Sequence, residues 1–430
     1  DVILVRRETS PEDIHGMRYA SGILTERGGL TSHAALVARG WGKSCIVGFY
    51  GLKIADNNRS ALFGKKTIKE GDWVTLNGGD GSVFEKKLEL FQQPIKDFEP
   101  LRVLLGWADR YRKLRVRTNA DTPEDCVQAL QFGAQGIGLC RTEHMFFNEK
   151  RILQFRKMIL AGKRESRLKH LKGLLPYQRK DFYKILKTMD GLPVTVRLLD
   201  PPFHEFLDIG EKEVSTLAKE LKENKKEVAR RISQLQEVNP MLGRRGCRLG
   251  VSYPEITEMQ VQAILGAALK LKKEKKNPKV EIMVPLVGSL EEFLNQKNII
   301  TSAYKELSKK HKQNLSYKVG TMIEIPKACF SAGIIAKHAD FFSFGTNDLT
   351  QTTFGFSRDD VGSFFPGYFE KEILSFDPFE SIDEKSVGEL MSTAVKRGRK
   401  NNPTLSLGIC GEHGGEPKSI KFCNKIGLHY

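Results

Sequence analysis

The sequence has little of what builds disulfide frameworks, zinc sites or membrane spans. Its 430 residues include seven cysteines, an odd number, and no Cys-x-x-Cys pair. This spacing is typical of free thiols in a reducing compartment. No uncharged apolar run approaches the roughly 18 residues of a membrane-spanning helix, and neither a methionine nor a signal-like segment opens the chain at Asp1. We therefore expect a soluble piece of a longer protein, with no membrane contact and, by default, a cytoplasmic location.

Acidic residues are also in deficit. The 69 Lys and Arg residues outnumber the 52 Asp and Glu residues, which gives a net charge of +17. The excess lies in runs at 163–172, 272–276 and 305–312, and solvated helix faces are the favoured interpretation. A basic surface also attracts anionic substrates, whereas the absence of aromatic residues within basic motifs makes nucleic acid an unlikely partner.

The pattern of apolar runs divides the chain into an α/β protein of two domains. Residues 1–92 contain short strands, glycine-rich turns and one clear helix near 31–40, and residues 93–113 form a linker. From 114 to 430, apolar strands alternate with long charged helices, which indicates a parallel sheet covered on both faces. The seven predicted strands are 114–120, 136–141, 193–200, 280–287, 319–325, 341–345 and 405–410. This rhythm predicts a (β/α)8 barrel whose eighth strand begins near 428–430, so that the barrel is one strand short.

A glycine pair in the first domain leads into the hydroxyl-bearing turn Thr31-Ser32-His33, and an alanine-rich helical run follows. Free backbone N–H groups and the helix dipole favour an anion at a helix start. We therefore predict that His33 accepts a phosphoryl group. The alternative is a histidine that packs near the helix start without function.

Two arginines end neighbouring strands of the predicted barrel, where barrel enzymes carry their reactive groups. Arg141 and Arg197 follow apolar strands, and a guanidinium there is costly unless an anion satisfies it. They are predicted to grip a phosphate and a developing oxyanion. The alternative is an internal ion pair with Glu143 or Asp200.

Carboxylates end two later strands, at Glu324 and at Asp348. Two carboxylates on adjacent strand ends suit Mg²⁺, which also takes substrate oxygens. Gly345, Thr346 and Asn347 would add hydrogen bonds to the substrate. The alternative for Thr346, Asn347 and Asp348 is helix capping.

Cys410 ends the last strand, and a thiol with an ordinary pKa near 8.5 is protonated at pH 7 and can deliver a proton to carbon. The alternative is an inert buried cysteine. Arg245 lies in a loop with paired arginines, and it is a further candidate anion clamp that spacing alone does not establish.

Together these segments resemble the phosphoenolpyruvate (PEP)-utilising enzymes. The matching segments are TERGGLTSHAALVARGWGK, NADTPEDCVQALQFGAQGIGLCRTEHMFF, VRLLDPPFHEF, NPMLGRRGCRLGVSYPEI, GTMIEIPKA, FFSFGTNDLTQTTFGFSRDD and LGICGEHGGEP.

The resemblance implies a β/β/α-like swivelling phosphohistidine domain followed by a PEP/pyruvate-binding TIM barrel, with a nucleotide-binding domain elsewhere in the same enzyme. It implies that His33 carries phosphate, that Arg141 and Arg197 hold the phosphoryl group and the enolate, and that Cys410 protonates enolpyruvate. It also implies Mg²⁺ on Glu324 and Asp348, with Gly345, Thr346 and Asn347 on the substrate. Thr31 matches a threonine that regulatory kinases phosphorylate in some members.

Among family members, the motifs favour the one that interconverts ATP, phosphate and pyruvate with AMP, diphosphate and PEP, as a homodimer. The alternatives are a PEP synthase, the first enzyme of the sugar phosphotransferase system, and a non-catalytic fragment.

Overall fold

The computed structural model describes residues 2–9, 13–29, 32–40, 42–55, 60–64, 66–90, 99–147, 149–237, 239, 241–358 and 360–430. The chain divides into two compact units, Asp1–Pro94 and Ile95–Tyr430. The predicted linker, 93–113, contains a helix from Glu99 to Tyr111 that has no buried residue, and residues 91–98 lie outside the described ranges.

The first unit combines a three-stranded parallel sheet with antiparallel strands. The sheet has the order β1-β2-β3, β4 to β6 form an antiparallel sheet, and β7 pairs with β8. The elements are β1 (Ile3–Arg6), α1 (Ile14–Tyr19), β2 (Gly22–Thr25), α2 (His33–Gly40), β3 (Ser44–Ile46), β4 (Leu52–Ile54), β5 (Ser60–Phe63), β6 (Lys66–Lys69), β7 (Thr75–Asn77) and β8 (Ser82–Phe84).

Two small apolar clusters hold the first unit together, because successive strand residues face opposite sides of the sheet. Ile23 packs with residues of α1 and α2, whereas its neighbour Leu24 packs with residues of β3, β4 and β5. The parallel sheet therefore lies between a helical layer and an antiparallel layer, which is the β/β/α arrangement that the resemblance implies.

Helix α1 is a helix of this unit that the sequence pattern did not reveal. It is only six residues long and contains Gly16, so it has too few positions for a helical period. The ammonium group of Lys43 donates hydrogen bonds to the carbonyl oxygens of Met17 (3.0 Å) and Ala20 (2.5 Å) and thereby caps the end of α1.

The second unit contains a seven-stranded, all-parallel sheet in the sequential order β9 to β15. Its strands are β9 (Thr118–Asn119), β10 (Ile137–Arg141), β11 (Pro193–Arg197), β12 (Lys279–Val284), β13 (Tyr317–Ile323), β14 (Phe341–Phe344) and β15 (Ser406–Ile409). Each overlaps a strand that the sequence predicted, although β9 is much shorter than expected. Strands β10 to β15 are largely buried on both faces, as in the predicted barrel, whereas β9 is not.

The described helices of this unit lie between its strands in the sequence, apart from the first helix, which precedes β9, and the last, which follows β15. They are α3 (Glu99–Tyr111), α4 (Pro123–Gln131), α5 (Glu149–Leu160), α6 (Arg164–Thr188), α7 (Glu211–Leu221), α8 (Lys225–Leu235), α9 (Cys247–Ser252), α10 (Pro254–Lys273), α11 (Leu290–His311), α12 (Pro326–Ala336), α13 (Thr346–Phe354), α14 (Phe365–Glu370), α15 (Val387–Asn401) and α16 (Pro417–Lys425). Two of the three basic runs lie at the ends of α10 and α11, where the exposed Lys273 and Lys310 are close to the negative ends of the helix dipoles. The run at 163–172 lies at the start of α6.

Residues 428–430 take the place of an eighth strand. The backbone N–H of His429 donates to the carbonyl oxygen of Leu407 (2.7 Å). The carbonyl oxygen of His429 accepts the N–H of Arg115, just before β9 (2.9 Å). The N–H of Ile409 donates to the carbonyl of Tyr430 (3.0 Å). The start of the last barrel strand therefore bridges β15 and the β9 side, where the sequence predicted it.

Candidate active site

A cavity of about 260 Å³ opens at the carboxyl ends of the strands in the second unit. Leu139, Met322 and Cys410 form its floor, and they belong to an apolar layer that fills the barrel interior. The other lining residues are polar or small: Arg141, Arg197, Asp200, Pro201, Glu205, Arg245, Glu324, Gly345, Asn347, Asp348, Gln351, Arg358, Gly411 and Glu412. Residues predicted from six separate strand ends or loops thus share one cavity.

Arg141 and Arg197 are direct partners in the register of β10 and β11. The Arg197 side chain is buried, contacts Glu143, and places Nη1 2.8 Å from Oδ2 of Asp200. Burial alone would lower the pKa of Arg197, but these carboxylates raise it above its ordinary value. The ion pairs that the sequence left as an alternative therefore exist, and Arg197 also lines the cavity.

Asp200 joins two arginines that are far apart in the sequence. Its Oδ2 also lies 2.5 Å from Nη2 of Arg245, which in turn lies 3.0 Å from Oδ2 of Asp348. Burial alone would raise the pKa of Asp200, but Arg197 and Arg245 hold it below its ordinary value. Arg245, which spacing left undecided, is fixed in the cavity wall by these two carboxylates.

Glu324 has one satisfied and one unsatisfied oxygen. Oε1 accepts the backbone N–H of Leu286 at 2.5 Å, whereas Oε2 is buried without a hydrogen-bond partner. Burial and the neighbouring carboxylates Asp200 and Asp348 raise the pKa of Glu324 well above its usual value. A buried, unpartnered carboxylate oxygen that lines a cavity beside Asp348 fits a cation ligand.

Within the described residues no cluster of three or more His, Cys, Asp or Glu side chains is arranged to hold a metal ion. A pair of carboxylates is nevertheless sufficient for Mg²⁺, because this ion keeps several waters and takes substrate oxygens. The donor set of Glu324 and Asp348 therefore fits Mg²⁺ better than Zn²⁺, which prefers nitrogen and sulfur ligands.

Gly345 lies where its neighbours leave no space for a side chain. A β-carbon at this position would lie 2.6 Å from Cε of Met322 and 2.8 Å from Oε2 of Glu324. The glycine thus lets the backbone approach the cavity and keeps Glu324 open to it.

Replacing Gly345 with alanine is expected to lower the free energy of unfolding by about 1–3 kcal/mol, because Met322 or Glu324 must move. Thermal unfolding measures the effect. The matched control is Gly415→Ala, where a β-carbon meets no atom within 4 Å. Equal behaviour of the two variants would contradict the steric argument.

Asn347 and Thr346 follow Gly345, but they have different surroundings. Oδ1 of Asn347 accepts the backbone N–H of Glu412 (2.9 Å), and the side chain lines the cavity. Thr346 is fully buried outside the cavity lining, and its hydroxyl lies 2.8 Å from Nδ1 of His413. The structure therefore brings Asn347, but not the Thr346 side chain, to the cavity.

Cys410 provides a buried thiol at the cavity floor. The residue is 6% exposed, and Sγ lies 3.6 Å from the carbonyl oxygen of Phe344. Burial raises the pKa of Cys410 to about 11, against a lowering interaction with Ser343. The thiol is therefore protonated at pH 7, more firmly than its ordinary pKa would imply.

Sequence reasoning missed two hydroxyls near this thiol. Ser343 and Tyr430 carry buried hydroxyl groups, and Ser343 interacts with both the Cys410 thiol and Tyr430. The Arg117 guanidinium stacks on the Tyr430 ring at 3.8 Å. Ser343 lies inside an apolar strand, and this buried position is the signal that could have identified it.

In the first unit, His33 is the first residue of α2, which follows β2 and a glycine turn, although the described ranges give no placement for its side chain. Gly28 has φ = +116°, and a β-carbon on Gly48 would lie 2.6 Å from the Gly28 carbonyl oxygen. Ser32 Oγ is buried without a partner. Thr31 lies outside the described residues.

No described helix is long and apolar enough to cross a membrane.

Comparisons with known proteins identify both units. Residues 1–81 match the mobile domain of PEP-utilising enzymes, and residues 96–430 match their PEP-binding domain. The chain is 54% identical over its whole length to pyruvate, phosphate dikinase 1, chloroplastic, of Arabidopsis thaliana, and covers 44% of that protein. It is 54% identical to the chloroplastic pyruvate, phosphate dikinase of Mesembryanthemum crystallinum, with 45% covered, and 53% identical to pyruvate, phosphate dikinase 2 of Zea mays, with 49% covered. The chain thus spans about half the length of these curated relatives.

The relatives overturn one expectation. The cytoplasmic location, which we expected only by default, is wrong, since several similar relatives are chloroplastic enzymes. Composition reports the redox environment of the thiols but does not separate the cytoplasm from an organelle with similar conditions.

The two matched domains and the identity over the whole chain support one conclusion: this chain belongs to the family of PEP-utilising enzymes.

Proposed function

We propose that this chain carries the pyruvate half of a pyruvate, phosphate dikinase reaction, in which a phosphoryl group moves between PEP and His33. The observation that carries the proposal is one cavity at the strand ends, whose lining includes Arg141, Arg197 and Arg245, the carboxylates of Glu324 and Asp348, and the thiol of Cys410. The names and identities of the relatives favour the dikinase over a PEP synthase or a phosphotransferase-system enzyme.

The charge distribution of the cavity suits an anion that carries a phosphate and a carboxylate. Asp200 partly neutralises Arg197 and Arg245, so these two guanidiniums provide fixed donors. Arg141 is left with the least neutralised charge, since its nearest carboxylate lies 3.8 Å away. We assign Arg141 to the phosphoryl oxygens, Arg197 to the enolate oxygen and Asn347 to the substrate carboxylate.

In the proposed step, the bond between phosphorus and the PEP enolate oxygen breaks, and a bond from phosphorus to an imidazole nitrogen of His33 forms. The electron pair stays on the enolate oxygen, where Arg197 stabilises it. Cys410 then gives its proton to the methylene carbon to form pyruvate, and solvent reprotonates the thiolate. Phosphoryl transfer depends mainly on positioning and charge stabilisation and does not require a strong base. The arginine side chains of this cavity can supply that stabilisation.

Glu324 and Asp348 would hold Mg²⁺, which when bound supplies positive charge for the phosphoryl and enolate oxygens.

The complete reaction, from ATP, phosphate and pyruvate to AMP, diphosphate and PEP, also needs a nucleotide-binding domain of the same enzyme, to which His33 would carry the phosphoryl group. We further propose a homodimer and regulation by phosphorylation at Thr31, two residues before His33.

Incubation of the chain with PEP labelled in its phosphate, with Mg²⁺, tests the proposal. We expect an acid-labile label on His33 and release of pyruvate, and both should disappear when a chelator removes the metal. His33→Ala should take up no label yet retain proton exchange into pyruvate, because that chemistry belongs to the barrel. A folded wild-type chain that acquires no label on His33 would refute the proposed function.

A further inference from the structure

Arg141 differs from the other two predicted anion-binding arginines of the cavity in how it is held. Arg197 and Arg245 each have a carboxylate oxygen of Asp200 within 2.8 Å. The nearest carboxylate oxygen to Arg141 Nη1 lies 3.8 Å away, and the Arg141 side chain is 32% exposed. A long, partly exposed side chain with one distant partner loses conformational freedom when a ligand fixes it. Something else must therefore orient Arg141 if it binds substrate with defined geometry.

That partner is Asp121, which lies just after β9. Its Oδ1 accepts the backbone N–H of Arg141 at 2.6 Å and so fixes the end of β10. Its Oδ2 lies 2.7 Å from Nδ1 of His144 and 3.8 Å from Nη1 of Arg141. One largely buried carboxylate, with a 13% exposed side chain, therefore contacts both ends of Arg141 and the turn that follows it.

The shared oxygen has a consequence for the charge of Arg141. Oδ2 of Asp121 forms its short contact with His144, at 2.7 Å, and not with Arg141. Asp121 therefore does not form a short ion pair with Arg141 of the kind that Asp200 forms with Arg197 and Arg245. The Arg141 guanidinium is thus directed by a charge but keeps its hydrogen-bond donors available to the cavity.

Asp125, a neighbouring carboxylate in the same loop, has a purely structural role and serves as a comparison for Asp121. Asp125 Oδ2 accepts the backbone N–H groups of Asp121 (3.1 Å) and Thr122 (3.0 Å), and Thr122 caps α4 in return. Asp125 is the capping carboxylate of α4, and none of these bonds involves Arg141.

We propose that Asp121, braced by His144, is a positioning residue that orients Arg141 toward the phosphoryl group of the substrate. This inference rests on the proposed function, because it presupposes that the cavity binds PEP through Arg141.

The test compares Asp121→Asn with Asp125→Asn in the full chain. Asparagine keeps an acceptor for the Arg141 N–H but removes the negative charge. For Asp121→Asn we expect the dissociation constant of PEP with Mg²⁺, measured by calorimetry, to rise on the order of tenfold. The single-turnover rate of His33 phosphorylation at saturating PEP should change much less. Asp125→Asn should lower the unfolding midpoint and leave the dissociation constant unchanged.

A double-mutant cycle separates action through Arg141 from a general disturbance of the loop. In the Arg141→Gln background, Asp121→Asn should weaken PEP binding by less than about twofold, since the group it orients is gone. An unchanged dissociation constant in the single variant, an equal rise in Asp125→Asn, or a full tenfold effect without Arg141 would each overturn the positioning role. If instead the wild-type chain fails to bind PEP and to phosphorylate His33, the proposed function itself fails.

Discussion

Replacing Cys410 with alanine is expected to slow proton exchange between solvent and the methyl group of pyruvate by at least about 100-fold. The thiol lies at the floor of the cavity, and its raised pKa, to about 11, keeps the proton on sulfur at pH 7. A protonated, water-excluded group is what delivery of a proton to carbon requires. Exchange of deuterium from solvent into pyruvate, followed by NMR with Mg²⁺ present, measures the effect.

The matched control is Cys329→Ala. Cys329 is a buried cysteine on α12 that does not line the cavity, and burial also raises its pKa, to about 12. Both substitutions remove a buried sulfur and leave a similar void, so both should reduce stability slightly. Only Cys410→Ala should affect exchange. If the two variants exchange protons at the same rate, Cys410 is an inert core residue and another group supplies the proton.

Replacing Arg197 with methionine is expected to reduce both stability and phosphoryl transfer. The substitution leaves the buried Glu143 without its arginine and Asp200 with Arg245 alone, and an uncompensated buried charge typically costs about 3–5 kcal/mol. Loss of a fixed donor to the enolate oxygen should slow His33 labelling by PEP about 100- to 1,000-fold. Chemical denaturation and a rapid-quench labelling assay measure the two losses separately.

Arg167→Met provides a buried ion pair of the same kind outside the cavity. Nε of Arg167 lies 2.6 Å from Oε1 of Glu255, whose side chain is 2% exposed. This variant should lose stability but, while folded, label His33 at the wild-type rate. If Arg197→Met does not fold, Arg197→Lys replaces it in the test. Lysine keeps the positive charge but lacks the planar guanidinium that contacts both Glu143 and Asp200. Wild-type labelling rates in a folded Arg197 variant would contradict the role proposed for this residue.

The strand ends were the most predictable part of the site. Apolar strands that alternate with helices place their carboxyl ends at one edge of a barrel, so Arg141, Glu324 and Cys410 could be grouped without a structure. The glycine at 345 and the amide at 347 followed from the same argument. The structure places these residues around one cavity, as the topology requires.

The pairing of charges was beyond what the sequence could show. Asp200 and Arg245 are 45 positions apart, and Asp348 is a further 103 positions beyond Arg245, yet all three form one buried network. Such contacts depend on how loops from different strands fold over the barrel mouth, which neither periodicity nor spacing records. The sequence offered ion pairing and ligand binding as alternatives for Arg197, whereas the structure gives it ion pairs and a position in the cavity wall.

Two local details also depended on packing. Thr346 has the residue type for a ligand contact, but its hydroxyl lies next to the buried His413 instead of the cavity. Ser343 and Tyr430 were not predicted, because in the sequence they resemble ordinary strand residues. The register of a strand decides which of its side chains point into the barrel, and a shift of one residue turns each side chain to the opposite face.

The measurement that most directly tests the central claim is a pulse-chase of the phosphoryl group. The chain is first labelled with PEP and Mg²⁺, freed of unreacted PEP, and then given unlabelled pyruvate. If the barrel cavity and His33 exchange a phosphoryl group reversibly, the label should leave His33 and reappear in PEP. Label that stays on the protein, or leaves only as inorganic phosphate, would contradict the account.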